Sequence, residues 1–145
     1  MPTVLDILAS KGSHVATIAP TATVLEATTK MNERKIGALV VQDKERVIGI
    51  FTERDVLRRV VAAERAPRDT RVSDVMTRDV VCCSPDTDLE DASRIMRDQR
   101  VRHLPVCDGD GGLSGLISIG DLNAIHASTQ EAQIHFLNDY VYGRA

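Results

Sequence analysis

Gly49-Ile50-Phe51-Thr52-Glu53-Arg54-Asp55 and Gly115-Leu116-Ile117-Ser118-Ile119-Gly120-Asp121 are two copies of one pattern. Each opens on glycine, passes two apolar residues, reaches a hydroxyl and ends on an aspartate three positions later. The apolar run reads as a strand, and the hydroxyl starts a helix. A hydroxyl at the N-cap with a carboxylate at N3 resembles a capping box, which satisfies the helix's first amides. The same helix end also offers amides and partial positive charge to an anion. Two copies in one short chain imply two related pockets, or one pocket used twice.

The register extends well beyond the motif. An offset of 65 pairs Pro20 with Pro85, Ala27 with Ala92, Met31 with Met96, Leu39 with Leu104, Val41 with Val106 and Asp43 with Asp108. One extra residue in the turn Asp108 to Gly112 makes the offset 66, pairing Gly49 with Gly115 and Asp55 with Asp121. Upstream, Val72-Ser73-Asp74-Val75-Met76 echoes Val4-Leu5-Asp6-Ile7-Leu8. Matched order with one insertion at a turn identifies a duplication. Either half alone is too small for a good core. The halves are therefore expected to pack about a pseudo-two-fold axis, each covering the other's strand face.

Local signals place the elements. Val4 to Leu8 form a short helical turn, and Val15 to Ile18 a short strand ended by Pro20. Thr23 caps a helix with Glu26 three residues on and Val24, Ala27, Thr28 and Met31 at helical spacing. Gly37 to Val41 and Val47 to Phe51 form a hairpin, and Thr52 opens a helix with Val56, Leu57, Val60 and Val61 on one face. Residues 66–70 are a linker. The order then repeats, with strands at Val80 to Cys83, Leu104 to Cys107 and Leu113 to Ile117 and helices opening at Asp88 and Ser118. The expected organisation is a first repeat over 1–65, a second over 66–127, and an amphipathic tail over 128–145. In the tail Ile134, Leu137 and Val141 form the apolar stripe, widened by Phe136 and Tyr140.

Composition narrows the function. Hydrophobic residues make up 43% and charged residues 27%, the balance of an ordinary globular chain. A net charge of -3 argues against general nucleic-acid binding, which rests on phosphate neutralisation. The 3 cysteines, Cys82, Cys83 and Cys107, lack metal-ligand spacing and are read as buried small apolar side chains. The N-terminus lacks signal-peptide character and no apolar run is long enough for a membrane span. With reduced cysteines, the expected compartment is the cytoplasm. No nucleophile–base pair, metal cluster or P-loop points to catalysis. His14, His126 and His135 share no ligand spacing and read as surface residues; Met31 and Met96 read as core fillers.

The duplicated β-α-β-β-α unit, the Gly-apolar-x-Thr/Ser-x-x-Asp signature, the Val72-to-Thr77 lead-in and the strand His103-Leu104-Pro105-Val106 resemble a tandem pair of CBS (cystathionine-β-synthase) domains, a Bateman module. The resemblance covers roughly residues 3–125. It implies an α/β (α+β) fold with an N-terminal helical turn and a C-terminal helix, and a regulatory module rather than an enzyme. It also implies an adenine-nucleotide ligand (AMP, ADP, ATP or NAD), a homodimer and a regulated partner protein. S-adenosylmethionine binding and a purely structural dimerisation role are the alternatives.

Carried over by resemblance, the aspartates take the ribose hydroxyls and the Thr/Ser lies near phosphate or ribose. One pocket would join Thr52, Arg54 and Asp55 to Val80, Val81, Val101 and Arg102. The other would join Ser118 and Asp121 to Val15, Ile36, Gly37 and Ala38, with His103 on the phosphate side. Arg54, Arg58 and Arg59 read either as a solvated face or, for Arg58, as a phosphate or dimer contact. Gly120 stands where the first copy has Arg54, which favours the Asp55 pocket as the place to look first for ligand.

Overall fold

The structure is a computed structural model that describes residues 2–127; the expected tail stripe of Ile134, Phe136, Leu137, Tyr140 and Val141, and His135, lie outside them. The first half runs α1 (Val4–Lys11), β1 (Thr17–Ile18), α2 (Val24–Arg34), β2 (Ala38–Asp43), β3 (Arg46–Thr52) and α3 (Glu53–Asp55). Helix α3 continues as a wider π-helical turn over Val56–Val61, in which amides bond carbonyls five residues back, as Ala62 N–H does to Leu57. The second half runs α4 (Val72–Val75), α5 (Leu89–Gln99), β4 (His103–Cys107) and β5 (Leu113–Ser118), followed by a helix over residues 119–127.

Strand β1 pairs parallel to β2, and β2 antiparallel to β3. In the second half β4 and β5 form the matching hairpin. The expected strand Val80 to Cys83 is reduced to one parallel bridge, Cys83 to Val106. That bridge is the register mate of the Ile18–Val41 pair, so the duplication survives where the strand does not. The caps repeat too: α2 and α5 end on the left-handed residues Lys35 and Arg100, at the same offset of 65.

Two apolar cores result, and neither is built from one half alone. The first gathers Val24, Ala27, Met31, Leu39, Val41 and Phe51 with Val72, Val75 and Met76 from α4 and its end. The second gathers Ala92, Met96, Leu104, Val106 and Ile117 with Val4, Ile7 and Leu8 from α1. The lead-in helices are exchanged. Backbone bonds fix the exchange: Val4 N–H donates to Thr87 and Val24 N–H to Thr70. Thr3 bridges Asp88, and Arg71 bridges Thr23. Each half is thus completed by the segment that opens the other.

The exchange explains the glycine that opens each motif copy. A Cβ at Gly49 would lie 2.6 Å from the Met76 sulfur and 2.8 Å from the Thr77 carbonyl oxygen. At Gly115 it would lie 2.6 Å from a Leu8 methyl carbon. Met76 and Leu8 hold matching places in the two lead-ins. The obstacles differ in kind, since a leucine tip can turn and a backbone carbonyl bridged to Ile50 cannot. Gly49→Ala is expected to cost about 2–3 kcal/mol, the range of core overpacking, and Gly115→Ala under about 1 kcal/mol. Urea midpoints of the two variants check this; equal losses would refute the asymmetry.

One face differs from expectation. On the helix after Thr52, Val60 is buried, but Leu57 and Val61 are each 63% exposed. They form an outward apolar pair one turn apart, beside Arg54 and Arg58.

Candidate functional site

Each motif sits where a hairpin hands over to a helix. Ala38 lies opposite Thr52 in the first hairpin and His103 opposite Ser118 in the second. On sequence grounds Gly37 and Ala38 belong with the opposite motif; in the sheet they are bonded to their own. The Glu53 amide donates to Gly37 and the Ile119 amide to Arg102 at the equivalent place. Val15 is half-buried just ahead of β1, and Ile36 packs against the first core. Val81 and Val101 pack against the second core, with Val80 half-buried beside Val81.

The two aspartates differ sharply. Asp55 is only 4% exposed. Its carboxylate accepts from the Thr52 amide at 3.0 Å and from the Thr77 hydroxyl at 3.1 Å, with Arg59 Nε at 3.8 Å. Arg59 also donates to the Val75 and Met76 carbonyls, capping the end of α4. The first motif therefore fastens the incoming lead-in. Asp121 is 24% exposed in its side chain and accepts from the Ser118 amide at 2.8 Å and from Lys11 Nζ at 2.8 Å. Burial raises its pKa, but the Lys11 and Ser118 bonds outweigh that and leave it below the ordinary carboxylate value. Both capping boxes form.

Between the halves lies a cleft of about 730 Å³ lined by Arg54 and Arg58 from the first half, Arg97, Arg100 and Arg102 from the second, and Val101, Met96, Ile119 and Asn123. The structure brings Arg54 together with Val101 and Arg102, as grouped on sequence grounds. Arg54 also donates to the Arg100 carbonyl at 3.3 Å. None of these lining residues is acidic. The second motif's helix supplies Ile119 and Asn123, on either side of Asp121 in sequence. Arg97 and Arg100 are not among the sequence candidates. At the end of α5 they read as cations complementing a helix dipole, which hides a second use.

The duplication predicts a mirror cleft, and its chemistry is different. The register mates of Arg54, Arg58, Arg97, Arg100 and Arg102 are Gly120, Ala124, Asn32, Lys35 and Gly37. One side of the molecule thus gathers guanidinium groups, while the other keeps a single lysine among these positions.

His103 stands half-buried where the motifs meet. Burial lowers its pKa below 6.5, and Lys11 and Arg102 lower it further against the pull of Asp121 and Glu53. The folded chain therefore binds fewer protons than the unfolded chain just below pH 6.5. The stability from this neutral imidazole is complete above that pH and is lost as pH falls toward the folded-state value. Melting temperatures from pH 7.5 to pH 5.5 should fall more steeply in the native chain than in His103→Gln. Parallel curves would refute the assignment.

The cysteines correct expectation in part. Cys83 is buried and Cys107 half-buried, but Cys82 is exposed. Burial, followed by contributions from the neighbouring thiols, pushes Cys83 up to about 11 and Cys107 up to about 12. Both stay as thiols at neutral pH and are poor nucleophiles. Among the described residues no cluster of His, Cys, Asp or Glu is arranged to hold a metal ion, and no helix is long and apolar enough to cross a membrane.

Two α/β repeats with exchanged lead-ins and a charged cleft between them define a duplicated two-repeat module. The CBS domain family description matches residues 5–62 and again 72–126. The chain belongs to the CBS domain family, as a tandem pair. It is 33% identical over 150 residues to the mitochondrial CBS domain-containing protein CBSX3 of Arabidopsis thaliana, spanning 97% of this chain and 72% of that protein. A solved protein with CBS domains from Burkholderia ambifaria shares 42% identity at a TM-score of 0.85, over 89% of this chain and 96% of that one. The CBS domain pair of the protein MJ0100, solved with methylthioadenosine and S-adenosyl-L-methionine, shares the fold at a TM-score of 0.78 with 21% identity, over 89% of this chain and 98% of that one.

Proposed function

We propose that this chain is a regulatory module that binds a phosphate-bearing adenine nucleotide, AMP or a relative such as ADP, ATP or NAD, in the arginine-lined cleft between its repeats. The observation that carries this reading is the convergence of the exposed Arg54, Arg58, Arg97, Arg100 and Arg102 on one open cleft with no acidic residue among those lining it. Such a cluster repels itself until an anion enters it, and guanidinium groups match phosphate oxygens in paired geometry. The adenosyl ligands of the MJ0100 pair support an adenosine body for the ligand, and the arginines support phosphate on it. The second motif's helix reaches this cleft through Ile119 and Asn123. Asp121, two residues from each, lies on the other face of that helix with Lys11, and it is proposed as the ribose acceptor because it is the motif carboxylate that keeps solvent access. Asp55 is proposed as structural, although Arg54 beside it faces the ligand.

The module works by binding rather than by catalysis. Leu57 and Val61, exposed on the helix that carries Arg54 and Arg58, are the proposed contact with a second copy of the chain. Ligand and dimer contact then share one helix, which gives a regulated partner protein a feature to read. Ligand shifts such an equilibrium only by binding one state better than the other.

Calorimetric titration with AMP, ATP, NAD and S-adenosylmethionine tests the reading. Arg102→Ala should weaken the phosphate-bearing ligands by roughly tenfold to a hundredfold, the worth of one charge-assisted bond. Absence of binding by all four ligands would sink the reading. So would affinities that ignore Arg102.

A further inference from the structure

Lys11 is the last residue of α1, and 110 positions separate it from Asp121. Its ammonium donates to Asp121 Oδ2 at 2.8 Å and to the Leu116 carbonyl at 2.9 Å. Leu116 lies inside the second motif copy. The exchanged lead-in thus delivers a cation onto the one motif carboxylate that keeps solvent access. The first half has no such plug: Asp55 is met by the neutral Thr77 hydroxyl and by Arg59 of its own helix.

We propose that Lys11 is a displaceable plug on Asp121, and that it makes this pocket select anionic over neutral or cationic adenosine ligands. The inference rests on the reading of Asp121 as ribose acceptor. A ribose hydroxyl donating to Asp121 must share or take the position that the ammonium holds. A lysine leaving that carboxylate gives up a 2.8 Å ion pair, and its four-carbon stem lets the ammonium swing to another anion where one is present. A ligand phosphate supplies that anion. Adenosine supplies none. S-adenosylmethionine brings a sulfonium beside Lys11, whose charge, like that of Arg102, is already felt at His103.

The pair has side-chain exposures of 38% and 24%, so breaking it leaves both groups able to reach water. Loss of Lys11 therefore should not unfold the chain, and exposed pairs of this kind contribute little to stability. The Lys11 stem crosses no core position; Val4, Ile7 and Leu8 hold α1 in place without it.

The test is calorimetric titration of AMP, adenosine and S-adenosylmethionine into the native chain, Lys11→Met and Lys11→Arg. The native chain should prefer AMP over adenosine by a ratio that falls about tenfold or more in Lys11→Met, the scale of one lost charge-assisted contact. S-Adenosylmethionine should gain affinity in Lys11→Met, and Lys11→Arg should keep the native order. Binding of AMP by both proteins with an unchanged ratio would overturn the plug and leave the nucleotide reading standing. Failure of all three ligands to bind either protein would overturn both.

Discussion

A chain lacking residues 2–11 should not keep a folded second half. The removed segment carries Val4, Ile7 and Leu8, all buried and all packed among Ala92, Met96, Leu104, Val106 and Ile117 rather than against their own half. Burying three such side chains is worth about 4.5–9 kcal/mol at roughly 1.5–3 kcal/mol each. That sum is an upper bound, because the unfolded chain buries part of this surface already. It still equals or exceeds much of the 5–15 kcal/mol, roughly, by which a domain is stable. Backbone pairing is lost as well, since Val4 and Leu5 donate to Thr87 and Pro85, and Leu89 donates to Pro2. Hydrogen exchange should show β4, β5 and α5 unprotected, with the first half more protected because its lead-in, α4, remains. Leu5→Ala is the control: Leu5 is 55% exposed and its loss should be nearly silent. A shortened chain melting within a few degrees of the native one would show that the exchange carries no stability.

That exchange marks the limit of what the sequence yields. Hydrophobic period and capping residues locate almost every element, because those signals act within a few residues. The duplication and the α/β character follow from register alone. Which core a lead-in enters is a different matter. Val4-Leu5-Asp6-Ile7-Leu8 and Val72-Ser73-Asp74-Val75-Met76 have nearly the same apolar pattern, so the pattern does not say which core either enters. Leu57 and Val61 mislead for a related reason. Helical spacing puts them with Val60, but in the wider turn over Val56–Val61 Val60 is buried while both of them face outward.

The candidate site divides along the same line. Thr52, Asp55, Ser118 and Asp121 stand out because both copies carry them, and Arg54, Val101 and Arg102 meet in one cleft. Arg97, Arg100 and Lys11 are invisible as site residues because a cation at a helix C-terminus already has a local explanation. The difference between a buried Asp55 and an accessible Asp121 is set by what packs over each carboxylate, Thr77 in one case and Lys11 in the other. No local pattern encodes that.

Asp55→Ala should be far more damaging to stability than Asp121→Ala, although the two residues are register mates. Removing the Asp55 carboxylate leaves the Thr52 amide and the Thr77 hydroxyl without their acceptor in a site that is 4% exposed. Each such donor left unmade costs about 1–3 kcal/mol, about 2–6 kcal/mol for the two, and because Thr52 and Thr77 are themselves half-buried the expected loss falls in the lower part, about 2–4 kcal/mol. Arg59 lessens the damage, being half-exposed and still bonded to the Val75 and Met76 carbonyls. For a chain of this size each kcal/mol lowers the melting temperature by about 2–4 °C, so Asp55→Ala should melt roughly 5–15 °C early. Asp55→Asn keeps an oxygen for one of the two donors and should lose about half as much. At Asp121 the exposed Lys11 and the motif's amide can turn to water, and the loss should stay under about 1.5 kcal/mol. Ligand binding should show the opposite ranking, with Asp121→Ala losing nucleotide while still folded and Asp55→Asn retaining it. Equal melting temperatures for the two alanine variants would refute the division of labour, since it follows from the burial of one carboxylate and the access left to the other.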